Sequence, residues 1–110
     1  MKKIPNPYID DIKKSIEIIE SYTSVSNADK DKFFSDIEKQ DAVIRRLEII
    51  GEAAKRLETS FKNEYANIPW KKMSGLRDVL IHDYDEVDLE MIWRVIVSDI
   101  PELKKALELI

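Results

Sequence analysis

The stretch Asp41-Ala42-Val43-Ile44-Arg45-Arg46-Leu47-Glu48-Ile49-Ile50-Gly51-Glu52-Ala53-Ala54-Lys55 decides the fold class. Val43, Leu47, Ile50, Ala54 and the later Leu57 are spaced four, three, four and three, which lays one apolar stripe along an α-helix. The pattern predicts a long amphipathic helix from Ile37 to Phe61. Gly51 sits in its middle, where glycine costs about 1 kcal/mol relative to alanine. A glycine in that place signals close approach of another backbone, so tight helix packing is expected at Gly51-Glu52-Ala53-Ala54. Arg45, Arg46 and Lys55 are candidate contacts to a polyanion. Salt bridges to Glu48 or Glu52 account for them as well.

N-terminal to this helix, Pro7 suits a first turn because it lacks a donor that the turn would leave unpaired. Tyr8, Ile12, Ile16 and Ile19, with Ile9 and Ile18 beside them, then follow at helical spacing. The Ser/Thr-rich run from Tyr22 to Asn27 ends that helix, and Asp29 to Asp36 forms a short one carrying Phe33 and Phe34. C-terminal to the long helix, Lys62 to Ile68 reads as a polar connection, and Pro69-Trp70 opens a helix reaching His82. An acidic loop from Asp83 leads to Asp88, a plausible N-cap. Pro101 interrupts the last segment, which predicts a kink or restart, with Asp99 capping a terminal stretch from Pro101 to Leu109. The expectation is an all-α, antiparallel bundle of four or five helices forming one domain over residues 1–110.

Composition agrees. Two Gly and four Pro leave little material for many tight turns, and 44% apolar with 36% charged residues suits a packed, well-solvated globule. No Cys is present, so disulfides and thiolate metal sites are excluded. No apolar run reaches the length of a signal peptide or a bilayer span, so a cytoplasmic protein is expected. The net charge of −4 argues against grip on nucleic acid by a uniformly basic surface, and leaves room for a focused cationic site.

Met73 to His82 carries the candidate chemistry. On a helical wheel Met73, Leu76, Val79 and Leu80 gather on a core face, while Ser74, Gly75, Arg77, Asp78 and His82 share the other side. Arg77 and His82 diverge by about 140°, whereas Asp78 and His82 are neighbours four residues apart, so the carboxylate is placed to hydrogen-bond the imidazole. Ile81 is an apolar residue in this polar face. With Gly75 and Ser74 keeping the surface low, a second copy of the chain covering Ser74 and Ile81 would explain it and would bring two copies of Arg77 and His82 into one cleft. Trp70 reads as a core residue, or, if exposed, as a platform for stacking a base.

Arg77-x4-His82-x-Tyr84 resembles the Arg-x4-His-x-Tyr motif of HepT-type toxins of the HEPN superfamily. The Asp41 to Lys55 segment resembles that family's long-helix signature, and Ile68-Pro69-Trp70 leading into Gly75-Leu76-Arg77-Asp78 resembles its approach to the motif. Asp88-Leu89 and Asp99-Ile100-Pro101 fit its C-terminal helices. The resemblance implies a HEPN-like bundle and a metal-independent endoribonuclease without a cofactor, acting as the toxin of a toxin–antitoxin pair. It further implies that Arg77 and His82 are catalytic, that Asp78 supports them, and that two motif helices face each other in a homodimer. Tyr84 would accept AMP from the antitoxin, a minimal nucleotidyltransferase. The other function compatible with these residues is a non-catalytic helical module that docks a nucleotidyltransferase or a nucleotide.

Overall fold

The computed structural model describes residues 6–23, 27–82, 87–108 and 110. The chain is all-α over these residues: α1 (Pro7–Tyr22), α2 (Asn27–Phe34), α3 (Ile37–Arg56), α4 (Thr59–Glu64), α5 (Trp70–His82), α6 (Leu89–Arg94), a π-helical turn (Val95–Asp99) and α7 (Ile100–Leu107). Three helices start on side-chain caps. Asn6 Oδ1 accepts from the backbone N–H of Tyr8 and Ile9 at 3.0 and 3.2 Å, and Asp36 Oδ1 accepts from Lys39 N–H at 3.1 Å. Asp88 Oδ1 accepts from Glu90 N–H at 2.9 Å, the cap expected from the sequence. From the first turn of α3, Gln40 Nε2 donates to the carbonyls of Phe33 and Phe34 and so closes the end of α2.

α3 is the central element, packed most extensively against α5 and α1. Its stripe of Val43, Leu47, Ile50 and Ala54 is buried, as are Ile9, Ile12, Ile16 and Ile19 of α1. Phe33 anchors α2 by packing its ring 5.6 Å from that of Trp93 on α6. Between α3 and α5 the contacts ascend together along both helices. Gly51 meets Met73 and Arg77, and Lys55 meets Asp78, with α4 and the turn after it intervening in the chain.

Two expectations about element ends are corrected. The long helix stops at Arg56 instead of Phe61, because Leu57 and Glu58 both take extended backbone with ψ near 141° and 145°. The break buries Leu57 and swings Phe61 into an aromatic group, 5.0 Å from Tyr65 and 6.2 Å from Trp70 between ring centres. Part of the expected polar connection is therefore helical as α4. Near Pro101 the α-helix gives way to the π-helical turn and resumes as α7 at Ile100, the interruption expected there, but the expected cap by Asp99 is not made. The π-helical turn absorbs the proline, with the Ile100 N–H donating to the Val95 carbonyl five residues back. Asp99 keeps helical backbone and makes no capping bond. Its carboxylate instead accepts from Lys72 Nζ at 3.1 Å and ties this segment to α5.

Among the described residues, no helix is long and apolar enough to cross a membrane.

Candidate active site

α5 holds the described part of the motif, and its position is set by glycine. A Cβ built on Gly51 would overlap the Cβ of Arg77 and lie 2.7 Å from the Met73 carbonyl oxygen. The close backbone approach expected at Gly51 is thus made by α5, at the turn that carries Arg77. Met73 and Arg77, one turn apart, meet α3 at Gly51, so Arg77 occupies a position where an apolar residue would ordinarily sit. This corrects the wheel in two places. Arg77 belongs to the packing seam by its stem, and Val79, expected in the core, is 43% exposed. The phase of the wheel follows where the neighbouring helix lies, and α3 approaches α5 on the side of Met73 and Arg77.

Burial of the Arg77 stem against Gly51 leaves a side chain that is 25% accessible, with its guanidinium between two carboxylates. Nη1 donates to Asp78 Oδ1 at 3.0 Å, and Nη2 lies 3.8 Å from Glu52 Oε1. Lys55 Nζ donates to the same Asp78 oxygen at 2.8 Å. Arg77 Nε is buried and has no hydrogen-bond partner among the described residues. The result is a compact group of two cations and two anions joining α3 to α5. Its members from α3, Glu52 and Lys55, escaped assignment as partners of Arg77 in the sequence, although Glu52 adjoins the glycine that announced the contact. Hydrogen bonds from Lys55 and then from Arg77 hold the Asp78 carboxyl below its ordinary value.

His82 lies in the last turn of α5 and is exposed. Asp78 is placed four residues before it, yet its hydrogen bonds go to Lys55 and Arg77, so the expected orientation of the imidazole by Asp78 is absent from this arrangement. Ile81 is exposed at 38%, and Ser74 is half-buried, its hydroxyl donating to the Lys71 carbonyl. Gly75 has open space where a Cβ would stand. Trp70 is buried at 6% and donates from Nε1 to the Tyr65 carbonyl, which removes it as a stacking platform. Arg45 is exposed, 3.9 Å from Glu48, and Arg46 is half-buried, both on α3. Tyr84 lies outside the described residues.

The fold is an all-α bundle whose α5 carries an arginine at its seam with α3 and the chain's single histidine, exposed, in its last turn. The chain belongs to the HepT-like ribonuclease family, whose model ("Ribonuclease HepT-like") matches residues 12–110. It is 43% identical over 108 residues to the "Probable ribonuclease HepT" of Thermococcus cleftensis, covering 98% of this chain and 96% of that one. It is 48% identical over 105 residues to the "Gamma-glutamylcyclotransferase and putative RNase" of Methanocaldococcus jannaschii. That match covers 96% of this chain and only 46% of the longer relative. A "Putative RNase" of Caldanaerobacter subterraneus subsp. tengcongensis is 41% identical over 104 residues, covering 94% of this chain and 90% of that protein. No solved structure matches the chain significantly.

Proposed function

We propose that the protein is a metal-independent endoribonuclease whose site is made by Arg77 and His82 from two copies of the chain. Membership of the HepT-like family and the ribonuclease names of its relatives support the reaction class. The observation that carries the assignment to residues is Arg77. Its stem fills a seam position against Gly51 and its head sits among fixed charges, so the guanidinium is held in place before any ligand arrives.

RNA supplies its own nucleophile, the 2′-hydroxyl. His82 of one copy takes the 2′-hydroxyl proton as the 2′-oxygen attacks the adjacent phosphorus. The bond from phosphorus to the 5′-oxygen breaks, and the leaving oxygen takes a proton from the second copy's histidine. Arg77 neutralises the phosphoryl oxygens as charge builds on them, a task for which its planar fork of donors is suited. The products are a 2′,3′-cyclic phosphate and a 5′-hydroxyl. Each chain has one histidine, so an acid and a base of this type require two copies. The exposed Ile81 and the low surface at Ser74 and Gly75 support the pairing.

In cells the protein acts as the toxin of a toxin–antitoxin pair, silenced when a minimal nucleotidyltransferase places AMP on Tyr84. The added phosphate brings negative charge two residues from His82, where it opposes an RNA phosphate and competes for Arg77.

The deciding experiment compares cleavage of RNA by wild type, Arg77→Ala and His82→Ala. Each variant is expected to lose at least about 100-fold in rate, with helical content unchanged. Wild-type cleavage is expected to persist in EDTA and to leave cyclic phosphate ends. A His82→Ala protein cutting at the wild-type rate, or EDTA inhibition reversed by magnesium, would overturn the mechanism.

A further inference from the structure

A groove of about 570 Å³ runs between α4 and the first turns of α5. Lys62, Asn63, Pro69, Lys71, Lys72 and Ser74 contribute to its walls, and no carboxylate lines it. On a chain with a net charge of −4, three lysines around one carboxylate-free groove form a local reversal of sign. Lys72 is engaged with Asp99, but Lys62 and Lys71 make no ion pair with any described residue. Several other surface lysines lack a carboxylate partner among the described residues as well, and what distinguishes this groove is that three lysines share its walls with no Asp or Glu among them.

The groove is also in register with the candidate catalytic histidine. Lys71 and His82 are eleven residues apart, three helical turns to within about 20°, so they lie on one face of α5 separated by about 16 Å. That face points away from the seam with α3, and Gly75 lies on it with nothing within 4 Å of a built Cβ. Phosphates held at this groove therefore lie on the His82 side of α5, about 16 Å from it along the helix.

We infer that this groove binds the sugar-phosphate backbone of the RNA substrate, with Lys62 and Lys71 each neutralising a phosphate remote from the cleaved bond. The inference rests on the ribonuclease reading and adds a substrate-holding site to it. The contacts are electrostatic and carry no sequence preference, because neither ammonium presents the forked geometry that reads a base edge.

The test measures binding of a mixed-sequence 2′-O-methyl oligoribonucleotide, which lacks the nucleophilic hydroxyl, to wild type, to a Lys62→Ala/Lys71→Ala double variant and to Lys14→Ala. Salt is varied from about 0.05 to 0.2 M. Each phosphate contact on a single strand contributes about 0.7 to the slope of log K against log salt, so the double variant should lose about 1.4 from the slope. Its affinity should fall several-fold at low salt, while Lys14→Ala matches wild type. On cleavable RNA the double variant should raise KM and leave kcat within about twofold, the pattern of lost uniform binding. Unchanged slope and KM in the double variant, alongside normal cleavage, overturn the groove and leave the ribonuclease reading standing. A wild-type protein that neither binds the oligonucleotide nor cuts RNA overturns both.

Discussion

Gly51 of α3 and Arg77 of α5 touch so closely that no side chain fits between them, and the Met73 carbonyl closes the same gap from the other side. Gly51→Ala therefore sets a small gain in helix propensity against a collision with backbone that cannot rotate away. Overpacking of this kind costs about 1–3 kcal/mol, a net loss over most of that range against the roughly 1 kcal/mol that alanine returns over glycine in a helix. The variant should melt lower, at about 4–8 °C per kcal/mol of net loss for a domain near this size. It should also lose RNA cleavage by more than its folded fraction explains, since the shift displaces Arg77. A melting point at or above wild type would contradict the close approach.

Arg77 is held at two atoms, with Nη1 on Asp78 and Nη2 facing Glu52, while its stem packs against Gly51. Lysine keeps the charge but has one nitrogen on a narrower tip, and cannot face Asp78, Glu52 and a phosphate together. Arg77→Lys is expected to fold normally and to reduce kcat by about 100-fold or more, close to the effect of removing an oxyanion donor. Equal kcat in the lysine variant would reduce the role of Arg77 to bulk charge.

What was legible in the sequence, and what was not, divides along a physical line. Local signals are legible: the start at Pro7, the span from Trp70 to His82 and the Asp88 cap each depend on residues within a turn or two, and Gly51 announces a close approach without saying which helix makes it. The differences between expectation and structure arise from packing that a residue count along one helix does not contain. Val79 is exposed because α3 meets α5 on the side of Met73 and Arg77, and nothing in α5 alone states where α3 lies. Leu57 breaks the long helix because Phe61 has Tyr65 and Trp70 to pack on, a reward invisible to a four-three count. At the site, Arg77, Asp78 and His82 were singled out by spacing. Only the fold shows that Asp78 turns to Lys55 and Arg77 instead of His82.

That last relationship fixes an expectation for pH. The Asp78 carboxyl is held below its ordinary value of 3.8, by Lys55 first and Arg77 second. A carboxylate with a lowered folded-state pKa contributes its stabilising effect fully above the unfolded value, and loses it as pH falls through the folded one. Across the window from about pH 5 to 8, where histidine ordinarily titrates, Asp78 stays ionised and its ion pairs hold. Cleavage by Asp78→Asn should be slower than wild type, while the two pH–rate profiles superimpose after scaling over that window. A displaced acid limb in the variant would mean that Asp78 acts on His82 directly.

Tyr84 offers a separation between cutting and silencing. If its hydroxyl is the acceptor of AMP, Tyr84→Phe retains RNA cleavage within a few-fold but gains no mass of AMP when incubated with ATP and its cognate nucleotidyltransferase. Growth of cells expressing both proteins should then fail for the variant and recover for wild type. Full protection of the variant by the partner would show that binding, and not modification, does the silencing.

Gly75 makes the complementary case to Gly51. Both glycines sit inside continuous helices, but a Cβ on Gly75 meets nothing within 4 Å, so nothing described within the chain repays the roughly 1 kcal/mol that glycine costs there. Gly75→Ala should accordingly raise the thermal midpoint of the isolated chain by several degrees. If a second copy approaches this face, as the exposed Ile81 suggests, the added methyl obstructs it. The variant should then sediment increasingly as monomer and lose cleavage activity, which mixing with an inactive His82→Ala partner would fail to restore. A Gly75→Ala protein that is both more stable and fully active would show that the face stays open during catalysis, and that the two histidines meet elsewhere.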